Sequence, residues 1–233
     1  MSDRPRRAAA KRAASRKPAG KVIGKVIGKV AGRTGGKLSG KAARKTAAPA
    51  AKALAAKALV AKAPPLKIDL IVEDAGWLKA LALPDEASLA RRLRAAARRA
   101  VAVALADRWR GSAVGLDCCL VLGSDARVRG LNRDYRGKDK PTNVLSFAAL
   151  DGGRPPRNQP WSLGDVILAL GTCRKEARAQ GKSLEQHLLH LVIHGVLHLL
   201  GYDHEADAEA ERMEGLEIAA LKRLGIDNPY LTM

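Results

Sequence analysis

Ser183-Leu-Glu-Gln-His187-Leu-Leu-His190-Leu-Val-Ile-His194-Gly195-Val-Leu-His198-Leu-Leu-Gly201-Tyr-Asp-His204 is the stretch from which the fold is read. From Leu184 to Leu200 it is apolar almost all round, a pattern that predicts a helix buried within the domain rather than one lying on its surface. Residues four apart on a helix sit nearly above one another, about 6 Å along the axis, so the imidazoles of His194 and His198 can converge on one point. Gly201 can take the left-handed conformation that ends a helix, and the turn it permits brings His204 back toward that point. Three neutral imidazoles around a divalent ion leave a fourth position open, the arrangement of a catalytic zinc site rather than a closed structural one. One Zn2+ per chain is therefore expected, with nickel and copper also compatible with three histidines. No turn delivers a third partner to His187 and His190, which are expected to be hydrogen-bonded core residues; the pair His190 and His194 is the alternative. Asp203 is expected either to orient an imidazole or to cap the next helix.

The spacing His-x3-His-x5-His is also that of the metzincin proteases, HExxHxxGxxH. Where those enzymes carry a glutamate as general base, this chain has Gly195, which cannot accept a proton. Peptide hydrolysis by that mechanism is not expected.

Outward from the buried helix, the pattern predicts an α/β (α+β) domain: a small mixed four-stranded sheet covered by about five to six helices, one of them a zincin-like metal helix. Strands are expected at Leu66 to Val72, Val114 to Leu122, Val144 to Ala148 and Leu163 to Leu170. Helices are expected at Glu86 to Arg108, Asp125 to Tyr135, Thr172 to Gln180, Leu184 to Leu200 and Ala206 to Leu224. Between the second of these helices and the third strand, Leu131-Asn-Arg-Asp-Tyr-Arg136-Gly-Lys138-Asp-Lys-Pro-Thr-Asn143-Val-Leu-Ser-Phe147 gathers cationic and polar groups. An arginine there can grip a phosphate through two parallel hydrogen bonds, although such a loop is more often only a solvated turn.

The chain of 233 residues carries a formal charge of +19, but unevenly. Met1 to Pro65 hold 18 Lys and Arg against one acid, Asp3, whereas the remainder holds 24 bases and 22 acids. Two regions follow: a basic Lys/Ala/Gly-rich tail over 1–65 and a folded domain over 66–233. The tail repeats Lys21-Val-Ile-Gly, Lys25-Val-Ile-Gly, Lys29-Val-Ala-Gly, Arg33-Thr-Gly-Gly and Lys37-Leu-Ser-Gly. A glycine in every fourth position costs about 1 kcal/mol each relative to alanine in a helix, so disorder is expected there, with at most transient helix from Ala47 to Lys62. Such a tail suits RNA or DNA binding that weakens with salt, or is dispensable. Cys118, Cys119 and Cys173 cannot build a disulfide framework and suit a reducing compartment. No apolar run approaches the roughly 20 residues of a spanning helix, and no secretory signal opens the chain, so a cytoplasmic protein without membrane contact is expected.

Taken together, the His194-to-His204 block, the Leu131-to-Phe147 cluster and Leu163-Gly-Asp-Val-Ile between them closely resemble the YbeY family of bacterial endoribonucleases, over about Ile68 to Tyr230. Ala148 departs from the proline many members have after the Ser-Phe pair, and the basic tail lies outside the usual pattern. The resemblance implies a single-strand-specific zinc-dependent endoribonuclease acting on the 3′ end of 16S ribosomal RNA and in ribosome quality control, with the small subunit or ribosome as partner. It implies His194, His198 and His204 as metal ligands and Arg136 as the functionally important arginine.

Combined with the residue chemistry, Arg136 is expected to stabilise transition-state charge on phosphorus, with Lys138 and Asn143 placing the strand. Both a water and the RNA 2′-hydroxyl are open as nucleophile, and no general base is evident. Aromatic residues at 3% argue against an extensive base-stacking platform, so recognition should rest on phosphates and shape. Competing readings are a zinc hydrolase with a non-RNA substrate whose carboxylate Arg136 grips, a ribosome-assembly binding factor with a structural metal, and a histone-like DNA compactor acting through the tail.

Overall fold

The computed structural model describes residues 22–23, 64–107, 114–153, 155–156 and 158–231. Their order is β1 (Val22–Ile23), β2 (Leu66–Val72), α1 (Gly76–Ala80), α2 (Glu86–Asp107), β3 (Leu116–Gly123), α3 (Asp125–Arg136), β4 (Val144–Ala148), a 3-10 turn (Ala149–Gly152), β5 (Trp161–Ala169), α4 (Leu170–Ala179), α5 (Leu184–Leu199) and α6 (Asp207–Lys222). The sheet runs β1-β4-β5-β3-β2. β2, β3 and β5 are parallel neighbours, and β4 runs antiparallel to β5. Parallel neighbours need crossovers, and the chain supplies them as α1 with α2, then α3 with β4.

Both faces of the sheet are covered, which is why β3 and β5 read as nearly continuous apolar runs rather than alternating ones. On one face Cys118, Leu120 and Leu122 of β3 and Val166 and Leu168 of β5 join α2, α5 and α6 in the main core. On the other, Val121, Ile167 and Ala169 pack with Leu145 and Phe147 of β4 and Val128 of α3. Burial pushes the Cys118 thiol up to about 12, so it behaves as a small apolar side chain.

The mixed sheet has the four strands that the domain's sequence predicts, and six α-helices are found among the described residues. A two-residue fifth strand, Val22–Ile23, comes from the tail, where disorder was expected; the expected transient helix at Ala47 to Lys62, and Arg108, lie outside the described residues. The strands expected from Val114 and Leu163 begin instead at Leu116 and Trp161, which pair with each other across β3 and β5. The five-residue α1 was not anticipated; it exists because Trp77 is fully buried and its indole N–H donates to the Gly123 carbonyl at 3.1 Å. Among the described residues no helix is long and apolar enough to cross a membrane.

Candidate functional site

Helix α5 opens with a capping box, in which the Ser183 hydroxyl accepts from the Gln186 N–H and the Gln186 side chain returns to the Ser183 N–H. Every residue from His187 to Leu199 is buried. Four histidines at spacings of three, four and four make one polar seam along this otherwise apolar helix. Carboxylates from the flanking helices meet the seam: Glu176 of α4 at His187 Nε2, 2.9 Å, and Glu217 of α6 at His190 Nε2, 2.8 Å. His187 and His190 are thus hydrogen-bonded core residues, as the absence of a turn beside them predicted.

The helix ends as Gly201 demands. At φ +84° it lies in the left-handed region, its N–H donates to the His198 carbonyl at 2.9 Å, and the Tyr202 N–H donates to the Leu197 carbonyl at 3.1 Å. These two bonds form a Schellman turn. The turn does more than reverse the chain, since the Tyr202 carbonyl it exposes accepts His198 Nδ1–H at 2.9 Å. The Tyr202 hydroxyl in turn donates to Asp107 at 2.9 Å, and Arg212 grips the same carboxylate at 2.8 and 3.0 Å, pinning the turn to α2 and α6.

His194, His198 and His204 converge, with ligand atoms all within 4.8 Å of one another. His194 Nδ1 donates to Glu217 Oε1 at 2.7 Å, so both helical histidines have Nδ1 engaged and turn Nε2 inward. Those two Nε2 atoms are 3.0 Å apart. Two ligands on a tetrahedral zinc at ordinary bond length lie about 3.3 Å apart, whereas two bare lone pairs at this distance repel, so the donor set fits a cation between them. Burial, and then His194 and His204, hold the His198 imidazole down at about 2, which keeps it neutral, as a ligand must be.

Glu217 was not anticipated. Burial acts to raise its carboxyl, but His194 and His190 outweigh this and hold it below the usual carboxylate range; Tyr230 also donates its hydroxyl to it. The available signal was its place on the helical stripe Met213, Glu217, Ala220, Leu221, a lone carboxylate among buried apolar positions. Asp203 neither begins nor caps α6, whose N-cap is Ala206; its carboxylate accepts the His204 backbone N–H at 2.8 Å.

A family model described as Endoribonuclease YbeY matches residues 85–225. The chain belongs to the YbeY family. A YbeY endoribonuclease of Azorhizobium caulinodans is 49% identical over 165 residues, covering 71% of this chain and 96% of that protein. One from Paramagnetospirillum magneticum is 60% identical over 117 residues, covering 49% of this chain and 71% of its own, and one from Rhodopseudomonas palustris is 46% identical over 168, covering 72% and 93%.

The other residues singled out in this YbeY sequence are placed as follows. Arg136 is the last residue of α3 and half-buried; Gly137, at φ +66°, ends the helix, and Lys138 stands exposed just after it. The loop is held by Arg129, which grips Asp139 at 2.7 and 2.8 Å, and by the Asn132 amide donating to the Lys140 carbonyl at 2.7 Å. It leads into β4, whose Ser146 hydroxyl donates to the Gly195 carbonyl at 3.3 Å, one residue beyond His194. Asn143 stands at the entry to β4. It is fully buried, its amide donates to Glu176 at 2.8 Å, and its Oδ1 accepts the Val144 N–H at 2.7 Å.

Proposed function

We propose that this chain is a single-strand-specific endoribonuclease that holds one zinc ion through His194, His198 and His204 and acts in maturation of the 3′ end of 16S ribosomal RNA and in ribosome quality control. The reading rests on membership of the YbeY family and on one local observation: two inward Nε2 atoms 3.0 Å apart, each with its Nδ1 already committed. When bound, zinc would lower the pKa of a water and polarise a phosphoryl oxygen.

The chain's own groups supply the rest. Glu217 and the Tyr202 carbonyl fix the tautomer and ring orientation of His194 and His198. Glu217 is not a proton shuttle, because it is buried and both its oxygens are engaged by histidines. Arg136 grips the scissile phosphate and stabilises charge that grows on it, and Lys138 holds an adjacent phosphate. Asn143 acts at one remove, tying the loop to Glu176 and so to α4 and α5. The substrate places the enzyme in the cytoplasm, at the small subunit.

The test pairs metal content by mass spectrometry with cleavage of a single-stranded RNA. Wild type is expected to carry about one zinc and to cleave; His198→Ala is expected to lose both, and Arg136→Ala to lose cleavage while keeping its metal. Stoichiometric metal without cleavage of any RNA would instead favour a binding factor with a structural ion.

A further inference from the structure

Without the tail, β4 would be the open edge of the sheet on the side of the histidine helix. An open edge is a row of unpaired backbone donors and acceptors, and it invites another strand. Here Val22–Ile23 pairs antiparallel with it, Val22 opposite Phe147 and Ile23 opposite Ser146. Ser146 is the residue whose hydroxyl reaches the Gly195 carbonyl at 3.3 Å, beside His194. The seat is therefore one strand spacing from the residue that touches the metal helix.

The sequence around the seated pair is periodic. Lys21-Val22-Ile23-Gly24 is followed by Lys25-Val26-Ile27-Gly28, identical in all four positions. A repeat of four is twice the two-residue period of a strand, so moving the segment along by one repeat presents the same pair and turns no residue to the opposite face. In the sequence the paired Val22 and Ile23 are followed two residues on by Lys25 and preceded by Lys21, so a segment seated by this pair keeps cations within two residues of the seat.

We infer that the outer edge of β4 is a docking seat for the chain's own Lys-Val-Ile-Gly repeat, and that docking holds the tail's cations at the rim of the histidine site to present RNA to it. The inference rests on the endoribonuclease reading for its substrate. A two-residue ladder is a weak clasp, which suits a tail that must exchange between seat and RNA rather than one that seals the site. The gain comes from effective concentration: an RNA held by a cation-rich segment tethered beside the site meets it far more often than one arriving from solution.

Ile23→Pro and Ile27→Pro, singly and together, test this in the full-length protein, since proline removes a ladder donor and leaves the charge unchanged. Hydrogen-exchange protection of the β4 amides that face the docked strand is expected to survive in either single variant, because the other repeat takes the seat, and to be lost in the double variant, while the amides that face β5 stay protected throughout. Total RNA binding should be unchanged in the double variant, while kcat/KM on single-stranded RNA at low salt falls roughly tenfold. Unchanged β4 protection in the double variant would overturn the docking seat. Fast exchange with kcat/KM unchanged or raised would overturn delivery, a rise meaning that the docked strand obstructs the site. Failure of the wild type to cleave any RNA would sink the endoribonuclease reading instead, and the exchange measurement would still judge the seat.

Discussion

Glu217 is the residue on which the histidine site turns without being part of it. Its carboxylate takes His194 Nδ1–H at 2.7 Å and His190 Nε2–H at 2.8 Å, and so decides which nitrogen of His194 faces inward. Glu217→Gln keeps the shape but removes the negative charge and one acceptor. Zinc affinity measured by competition with a chelator is expected to fall roughly 10- to 100-fold, with the fold retained by circular dichroism. An unchanged affinity would mean that Glu217 only fills the core. Gly195 is constrained differently: a Cβ there would lie 2.6 Å from Val166 Cγ1 and 3.1 Å from Ser146 Oγ, because β4 and β5 press on the helix at this point. Gly195→Ala is expected to cost about 1 to 3 kcal/mol in urea unfolding and to weaken metal binding, as the helix is pushed off the sheet. The same contact explains why a protease-like glutamate has no place at this position. At this scale the sequence was unevenly legible. The three histidines and Gly201 declare themselves by spacing, whereas Glu217 is one of several acids on α6 and only its burial sets it apart. The burial of Asn143 was not legible, because a polar residue after a Gly-Lys-Asp-Lys-Pro loop reads as surface, while its amide donates to Glu176 from inside the domain.

Helix α2 packs against α5, and its start depends on a cap. Asp85 Oδ1 accepts the Ser88 N–H at 2.7 Å, and this backbone bond, followed by the Ser88 side chain, holds the Asp85 carboxyl below its ordinary 3.8. A carboxyl depressed in the folded state stabilises above its unfolded pKa and loses that contribution as pH falls through the folded value. Asp85→Ala is therefore expected to lower the urea midpoint near pH 7, and the gap between variant and wild type should narrow only below about pH 3.8. A gap independent of pH would show that the cap acts through shape rather than charge. Long elements such as α2 and α5 were readable because their apolar pattern, one-sided in α2 and nearly all round in α5, continues for several turns. The short α1 was not, since five residues carry no period and what holds them is the burial of Trp77 under the chain. β1 was unreadable for a related reason: a glycine-rich segment has little strand preference of its own, and its pairing is set by the free edge of β4.

Across the whole molecule, charge and chemistry are separated along the chain. Residues 66–233 are nearly neutral and hold the histidines, whereas the first 65 carry almost all of the net charge. The family model matches residues 85–225, none of them in the tail, and 165 residues of this chain match 96% of the Azorhizobium caulinodans relative. Removing Met1 to Pro65 is thus expected to leave a folded protein that still cleaves single-stranded RNA. What should change is the dependence on salt. Each phosphate neutralised by a tail cation releases counterions on binding, so the full-length protein gains most at low ionic strength and loses that gain steeply as salt rises. Plotted as log kcat/KM against log salt, the truncated enzyme should give the shallower line, lying below full length at low salt and meeting it at high salt. Parallel lines would make the tail dispensable for this reaction, and loss of all activity on truncation would move the principal function into the tail, as expected of a DNA compactor rather than a nuclease.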